Sequence, residues 1–189
     1  MSTLREYFSG FSLARRRNRP GDDVPQQIYG GLVAQSRLAA FYMRYGIADT
    51  VTGRFDMLCL HVFLFSHRLT GETGPIARSF SQEVFDCFVD DIDRALRELG
   101  IGDNTVPKRK KRLIRGFYAQ IDAFAGPLDN GDAATLAAAV GKRFFGDPAS
   151  PDADLLSDYM LKADRALAAI AFDDLIAGQM NWPDPDRIL

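Results

Sequence analysis

The chain has little of what covalent or metal chemistry needs. Its 189 residues include two cysteines, Cys59 and Cys87, and each sits inside an apolar periodic stretch rather than in a ligand-type spacing. That excludes a disulfide framework and makes reduced structural thiols in a reducing compartment the expectation. Histidine is as scarce, with His61 and His67 alone. Their spacing sets them about 240° apart around a helix, so they cannot share a face as an i, i+4 metal pair does. No CxxCH, HExxH or GxSxG pattern occurs, and "GETG" and "NGD" are turn chemistry rather than a phosphate loop. Cys59 has no base on its own face, and Asp90 with Asp91 reads as a solvated surface. No catalytic residue, metal ligand or cofactor is expected, and a haem-binding reading fails for want of axial ligands.

Long apolar runs are missing too. Apart from His61, the longest is Met57 to Phe65, about half of the ~20 residues a membrane-spanning helix needs. No stretch resembles a signal peptide, because the N-terminal arginines follow the first apolar residues instead of preceding a long apolar core. Nor is there an excess of one charge: the net charge of −2 gives no global pull toward nucleic acid or anionic lipid. A DNA partner is not expected, and any electrostatic role must come from how the charges are distributed.

What the chain does have is apolar residues, 47% of the total, enough for one sizeable core, and a helical period nearly throughout. Leu4, Phe8 and Phe11 begin a helix that closes on Arg15, Arg16 and Arg17, cations suited to a helix C-terminus. After a linker at Pro20 and Gly21, Asp22 or Asp23 caps a second helix expected to reach about Tyr45, with Ile28, Leu32, Leu38 and Phe41 as its stripe. A third runs from roughly Thr52 to Leu69. The fourth has Ile76, Phe80, Val84, Phe88, Ile92, Leu96 and Leu99 on one face and acids on the others. A fifth opens near Pro107 and carries Phe117, Ile121 and Phe124. Asp132 caps an alanine-rich helix ending near Phe145, and a last one runs from Pro151 to about Gly178. The fold class is all-α: a single-domain bundle of six or seven helices. The expected organisation is a basic N-terminal helix and linker over 1–20, a helical core over 22–178, and an irregular tail over 179–189, where two prolines forbid a regular helix.

Two features ask for an explanation. The third helix, "GRFDMLCLHVFLFSHRL", has no polar face along its centre, so its neighbours must surround it and bury His61. A neutral buried imidazole needs partners, and a backbone carbonyl, Tyr29 or Tyr42 is expected to supply one. Arg54 and Asp56 are expected to pair at its entrance and orient it against the "AQSR" segment. The second feature is "KRKKRLIR", which places Lys108, Arg109, Lys110, Lys111, Arg112 and Arg115 at a helix start, where the dipole opposes them. A solvated face or the acidic fourth helix explains them blandly; lipid headgroups, ribosomal RNA or an acidic loop of a client explain them functionally. The Arg15 to Arg17 cluster is a second cationic element suited to an interface.

At "YGGLVAQSRLAAFYMRYGIADTVTGRFDMLCLHVFLFSHRL" and "IGDNTVPKRKKRLIRGFYAQIDAF" the chain resembles the ubiquinol-cytochrome c chaperone family, well over about residues 25 to 125 and loosely beyond. The matching positions are Tyr29, Gln35, Arg37, Phe41, Tyr42, Asp49, Thr50, Gly53, Arg54, Phe55, Asp56, His61, Lys108, Lys111, Arg112, Phe117 and Tyr118. The resemblance implies a non-enzymatic factor that binds newly made cytochrome b during assembly of the bc1 complex. It also brings in a small partner protein, the ribosome or an anionic membrane surface as further candidates. The chain looks like a bacterial relative, expected in the cytoplasm or peripherally at the inner face of the cytoplasmic membrane. Its partner-binding surface is expected to use Arg37, Tyr42, Arg54, Asp56, Lys108, Lys111, Arg112 and Arg115, as aromatic anchors and steering cations around an apolar groove. The competing reading is a membrane- or ribosome-associated adaptor that uses the basic elements without holding a client.

Overall fold

The computed structural model describes residues 23–72 and 74–188. The expected N-terminal helix with Arg15 to Arg17 lies outside the described residues. Among those described, α1 (Asp23–Ser36), α2 (Ala39–Met43), α3 (Val51–Thr70), α4 (Pro75–Glu98), α5 (Val106–Asn130), α6 (Ala133–Val140), α7 (Pro151–Ala168) and α8 (Phe172–Ile176) carry the fold, with no strand. The protein is an all-α bundle around one hydrophobic core.

α3 is the axis of that core. It packs against α1, α4, α5 and α7, and every residue from Cys59 to Ser66 is buried. Thr50 caps its start, its Oγ1 accepting from Gly53 N at 3.1 Å. Glycine is required at 53 because a Cβ there would stand 2.0 Å from the Ala48 carbonyl oxygen. α4 lies antiparallel beside α3, with Phe80 against Phe65 at 6.3 Å and Phe88 against Phe55 at 6.1 Å. α5 turns back along α4, and Phe117 meets both Phe85 and Phe88 at 5.5 Å. The expected stripe of α4 is buried from Phe80 to Leu96, but its two ends are not: Ile76 is 64% and Leu99 66% exposed, beyond the reach of the neighbouring helices.

Three helix bounds differ from the sequence reading. The second expected helix breaks at Arg37 and Leu38, because Tyr42 Oη donates to the Ser36 carbonyl at 2.6 Å and takes the acceptor that an unbroken helix would use. Leu38 then turns extended, with ψ 132°, and the chain swings Phe41 and Tyr45 inward, both fully buried. The alanine-rich helix, capped by Asp132 as expected, ends as a π-turn over Gly141–Phe145. α7 stops ten residues early. Arg68 reaches across from α3 and donates to the Leu167 and Ile170 carbonyls at 3.0 and 2.9 Å, satisfying acceptors that a longer helix would have used.

A large-to-small change at Phe88, which contacts three aromatic rings, should cost about 3–5 kcal/mol, whereas Leu99→Ser should stay within about 0.5 kcal/mol. Urea unfolding checks both: Phe88→Ala lowers the midpoint at unchanged slope, and an equal loss in the two variants would contradict this packing.

Candidate functional site

The buried polar chain at the centre of α3 positions everything around it. His61 is fully buried. Its Nδ1 lies 2.8 Å from the Met57 carbonyl, which can only accept, so Nδ1 carries the proton. Nε2 then accepts from Tyr159 Oη, also at 2.8 Å. Tyr159 Oη in turn accepts from Gln35 Nε2 at 3.2 Å, which joins α3, α7 and α1 in one run of bonds. The expected backbone partner is present, but Tyr29 and Tyr42 serve elsewhere: Tyr29 Oη donates to Asp91 Oδ2 at 2.8 Å, and Tyr42 Oη to Ser36. Burial holds the His61 pKa down near 4, so the ring is neutral at physiological pH. His67, by contrast, is bonded at 3.0 Å to both Asp164 and Asp129, and these carboxylates raise its pKa although burial opposes them.

The expected Arg54–Asp56 pair does not form. Arg54 is held by Asp49, Nε at 2.6 Å and Nη2 at 3.1 Å from its two carboxyl oxygens. The guanidinium sits 5.5 Å from the Tyr42 ring centroid. Asp56 points inward, 6% exposed, and pairs with Arg143 from the π-turn. The Gln120 amide, turned with its oxygen toward Arg143, accepts from Arg143 Nε at 2.6 Å. Burial pushes the Asp56 carboxyl up to about 6 against the pull of Arg143. Asp56 therefore ties α3 to the π-turn from inside. Sequence spacing could not find this contact, because the partners lie 87 residues apart.

The remaining expected residues form two groups on either flank of the C-terminal half of α4. Two carboxylates divide that flank, since positions 91 and 93 face opposite sides of a helix. Asp91 takes the Tyr29 hydroxyl and Arg94, and faces the charge of Arg37. Asp93 takes Arg97 at 2.8 Å and Lys110 at 2.9 Å, so the acidic fourth helix engages one cation of the basic run. Lys108, Lys111, Arg112 and Arg115 are exposed. They have no ion pair among the described residues, and they project from the side of α5 opposite Phe117 and Phe124. On the Asp91 side stands Arg37, whose charge also reaches Tyr42, and Tyr42 lies under Arg54; Leu38, Met43 and Val51, close to these residues in the chain, are 39%, 82% and 75% exposed. Sequence reasoning missed these apolar residues because Leu38 fitted the inner stripe of an unbroken helix. A cavity of about 550 Å³ opens elsewhere, at the start of α4, between Gly74, Pro75, Arg78, Ser79 and Gln82. No three His, Cys, Asp or Glu side chains gather as metal ligands among the described residues, and no described helix is long and apolar enough to cross a membrane.

The described residues define a small all-α bundle built on one core, with a buried polar run at its centre and with cations and apolar side chains exposed on its surface. Residues 43–182 match the sequence model of the ubiquinol-cytochrome C chaperone family, and the chain belongs to that family. It is similar to the crystal structure of the Cbp3 homolog from Brucella abortus, with a TM-score of 0.81 and 39% identity over 88% of this chain and 92% of that one. Nothing among curated proteins matches.

Replacing Tyr159 by Phe leaves His61 Nε2 without a donor and should cost about 1–3 kcal/mol. His61 and Asp56 also pull the pH dependence of stability in opposite directions. The unfolded imidazole takes its proton near 6.5 and the folded one near 4, so stability is full above pH 6.5 and drains as pH falls toward 4. The folded Asp56 takes its proton near 6, before the unfolded one at 3.8, so its contribution rises as pH falls through that window. Asp56→Asn should therefore lose stability more steeply than wild type on acidification from pH 6 to 4, and His61→Gln less steeply. Chemical unfolding at each pH measures the slopes; parallel slopes in all three proteins would refute the assignment.

Proposed function

We propose that this protein is a non-enzymatic assembly chaperone of the ubiquinol-cytochrome c reductase (bc1) complex that holds newly made cytochrome b. Family membership supports the assembly role. The observation that carries the contact is the exposure of Leu38, Met43 and Val51, in the same short stretches of chain that hold Tyr42 and the Arg54 guanidinium above its ring. Exposed large apolar side chains beside a cation-capped aromatic ring suit an apolar client segment whose flanking acids are steered by the arginines. Asp49 and Tyr42 hold Arg54 in place before any client arrives, which lowers the ordering cost of binding. On this reading Asp56 supports the surface from beneath instead of touching the client.

The basic side of α5 favours a second reading, in which a ribosomal or membrane surface docks there and a small partner protein assists. Lys108, Lys111, Arg112 and Arg115 present cations without an apolar anchor, which suits long-range attraction to a polyanion more than client holding. The protein then works in the cytoplasm or at the inner face of the cytoplasmic membrane, with one flank for location and the other for cargo.

Photocrosslinkers placed at Met43 and Lys111 in living cells separate the two. Cytochrome b should be captured from position 43, and a salt-sensitive ribosomal or membrane component from position 111. Met43→Asp with Val51→Asp should deplete the assembled bc1 complex several-fold while leaving the melting temperature within a few degrees. Wild-type levels of complex in that double variant would remove this flank from the mechanism.

A further inference from the structure

His67 lies in the last turn of α3, and each of its ring nitrogens faces a carboxylate from a different helix. Nδ1 is 3.0 Å from Asp164 Oδ1 of α7, and Nε2 is 3.0 Å from Asp129 Oδ1 at the end of α5. Ionised carboxylate oxygens only accept, so both bonds form together only when the ring carries a proton on each nitrogen. The position suits that cation, because the unsatisfied carbonyls of a helix C-terminus attract it. Burial works against the charged ring, yet the two carboxylates outweigh it and hold its pKa above the ordinary histidine value. Asp129 and Asp164 are the charged groups that face it from α5 and α7. Arg68, next along α3, is turned to the Leu167 and Ile170 carbonyls and to Glu72. Among the described residues no hydrogen bond or ion pair joins the ring to α1 or α4.

The two partners are not equally held. Asp164 lies within α7 and its side chain is 26% exposed, whereas Asp129 is 54% exposed and belongs to the turn of α5 that starts at Pro127. Pro127 has no N–H for the Ala123 carbonyl, so that turn lacks one of the bonds that would tie it to the rest of the helix. Gly131 ends it in the left-handed conformation, at φ 64°. Leu128 anchors the turn from inside, 4% exposed, and Asp129 anchors it at the rim. We propose that His67 is a pH-operated hook: as an imidazolium it holds α7 through Asp164 and the last turn of α5 through Asp129, and as the neutral ring it keeps Asp164 and releases Asp129. A neutral ring has one N–H to give. Nδ1 keeps it for the less exposed Asp164, and the lone pair of Nε2 then opposes those of Asp129, which turns outward to be solvated. A clasp of three helices becomes a clasp of two. The inference holds whether or not cytochrome b is the client.

His61 and His67 are the two histidines of the chain, so magnetic resonance of the ring nitrogens in the full-length protein resolves both. His61 stays neutral and serves as the internal reference. Between about pH 6 and pH 9, His67 should pass from the doubly protonated ring to the Nδ1–H tautomer. Over the same titration the amide-exchange protection of residues 128–131, corrected for the intrinsic pH dependence of exchange, should fall about three- to tenfold. Protection of α7 around Asp164 should stay level. Asp129→Asn supplies a carboxamide that accepts from the charged ring and donates to the neutral one. In that variant the loss of protection should vanish. The His67 midpoint should also fall by about 0.5–1 pH unit, a shift that a merely space-filling residue at 129 would not produce. Asp56 and His61 are untouched by the change, so the difference between the two proteins belongs to the hook. A His67 ring already neutral at about pH 6 overturns the proposal. So does protection at 128–131 that ignores the titration, or that declines equally in Asp129→Asn.

Discussion

The bond between His61 and Tyr159 is the constraint on which the body of this protein depends. An imidazole at the centre of an all-apolar helix is stable only with both ring nitrogens satisfied. One nitrogen is served within α3, and the other can be served only if α7 arrives with a hydroxyl at the right height. Gln35 then closes the same run from α1. Three helices are thereby fixed in register by directed bonds that reach a fully buried imidazole, a more selective instruction than apolar contact alone can give. The break at Arg37 belongs to the same arrangement, since it swings Phe41 and Tyr45 onto the Tyr159 ring.

Outside this core, charge is distributed unevenly over the surface. α4 organises that outside by sending Asp91 to one flank and Asp93 to the other. The first flank gathers arginines held over or beside aromatic and apolar side chains, the chemistry of a short-range grip. The second carries, on one side of a helix, four cations with no ion pair among the described residues, the chemistry of long-range attraction.

Asp56, in the GRFDM stretch, ties the start of α3 to the π-turn. Its buried carboxylate is matched by Arg143, and Arg143 is available because α6 widens into a π-turn closed by Gly146 at φ 72°. Removing Arg143 would leave the buried Asp56 carboxylate unpaired, which costs far more than the pair itself contributes. The start of α3, with Thr50, Gly53 and Arg54 on its outer side, is therefore held rigid from within.

The all-α class, the central place of α3, the burial of His61, the cap at Asp132 and the inner faces of α4 and α5 were legible in the residues alone. Each follows from periodicity or from short-range backbone chemistry, which act within a few residues. The side-chain partner of His61, the partners of Asp56 and Tyr29, the early end of α7, the exposure of Leu38 and the docking of the 179–188 segment were not. Apart from the exposure of Leu38, which follows the local Tyr42–Ser36 bond, those outcomes depend on which distant group reaches a donor or acceptor first, and separations of 62 to 148 residues leave no mark in local pattern. Sequence by itself determined which faces had to be buried and which charges had to be solvated. Only the tertiary structure decided what would satisfy the buried polar groups, because that choice is made by packing geometry after the helices have met.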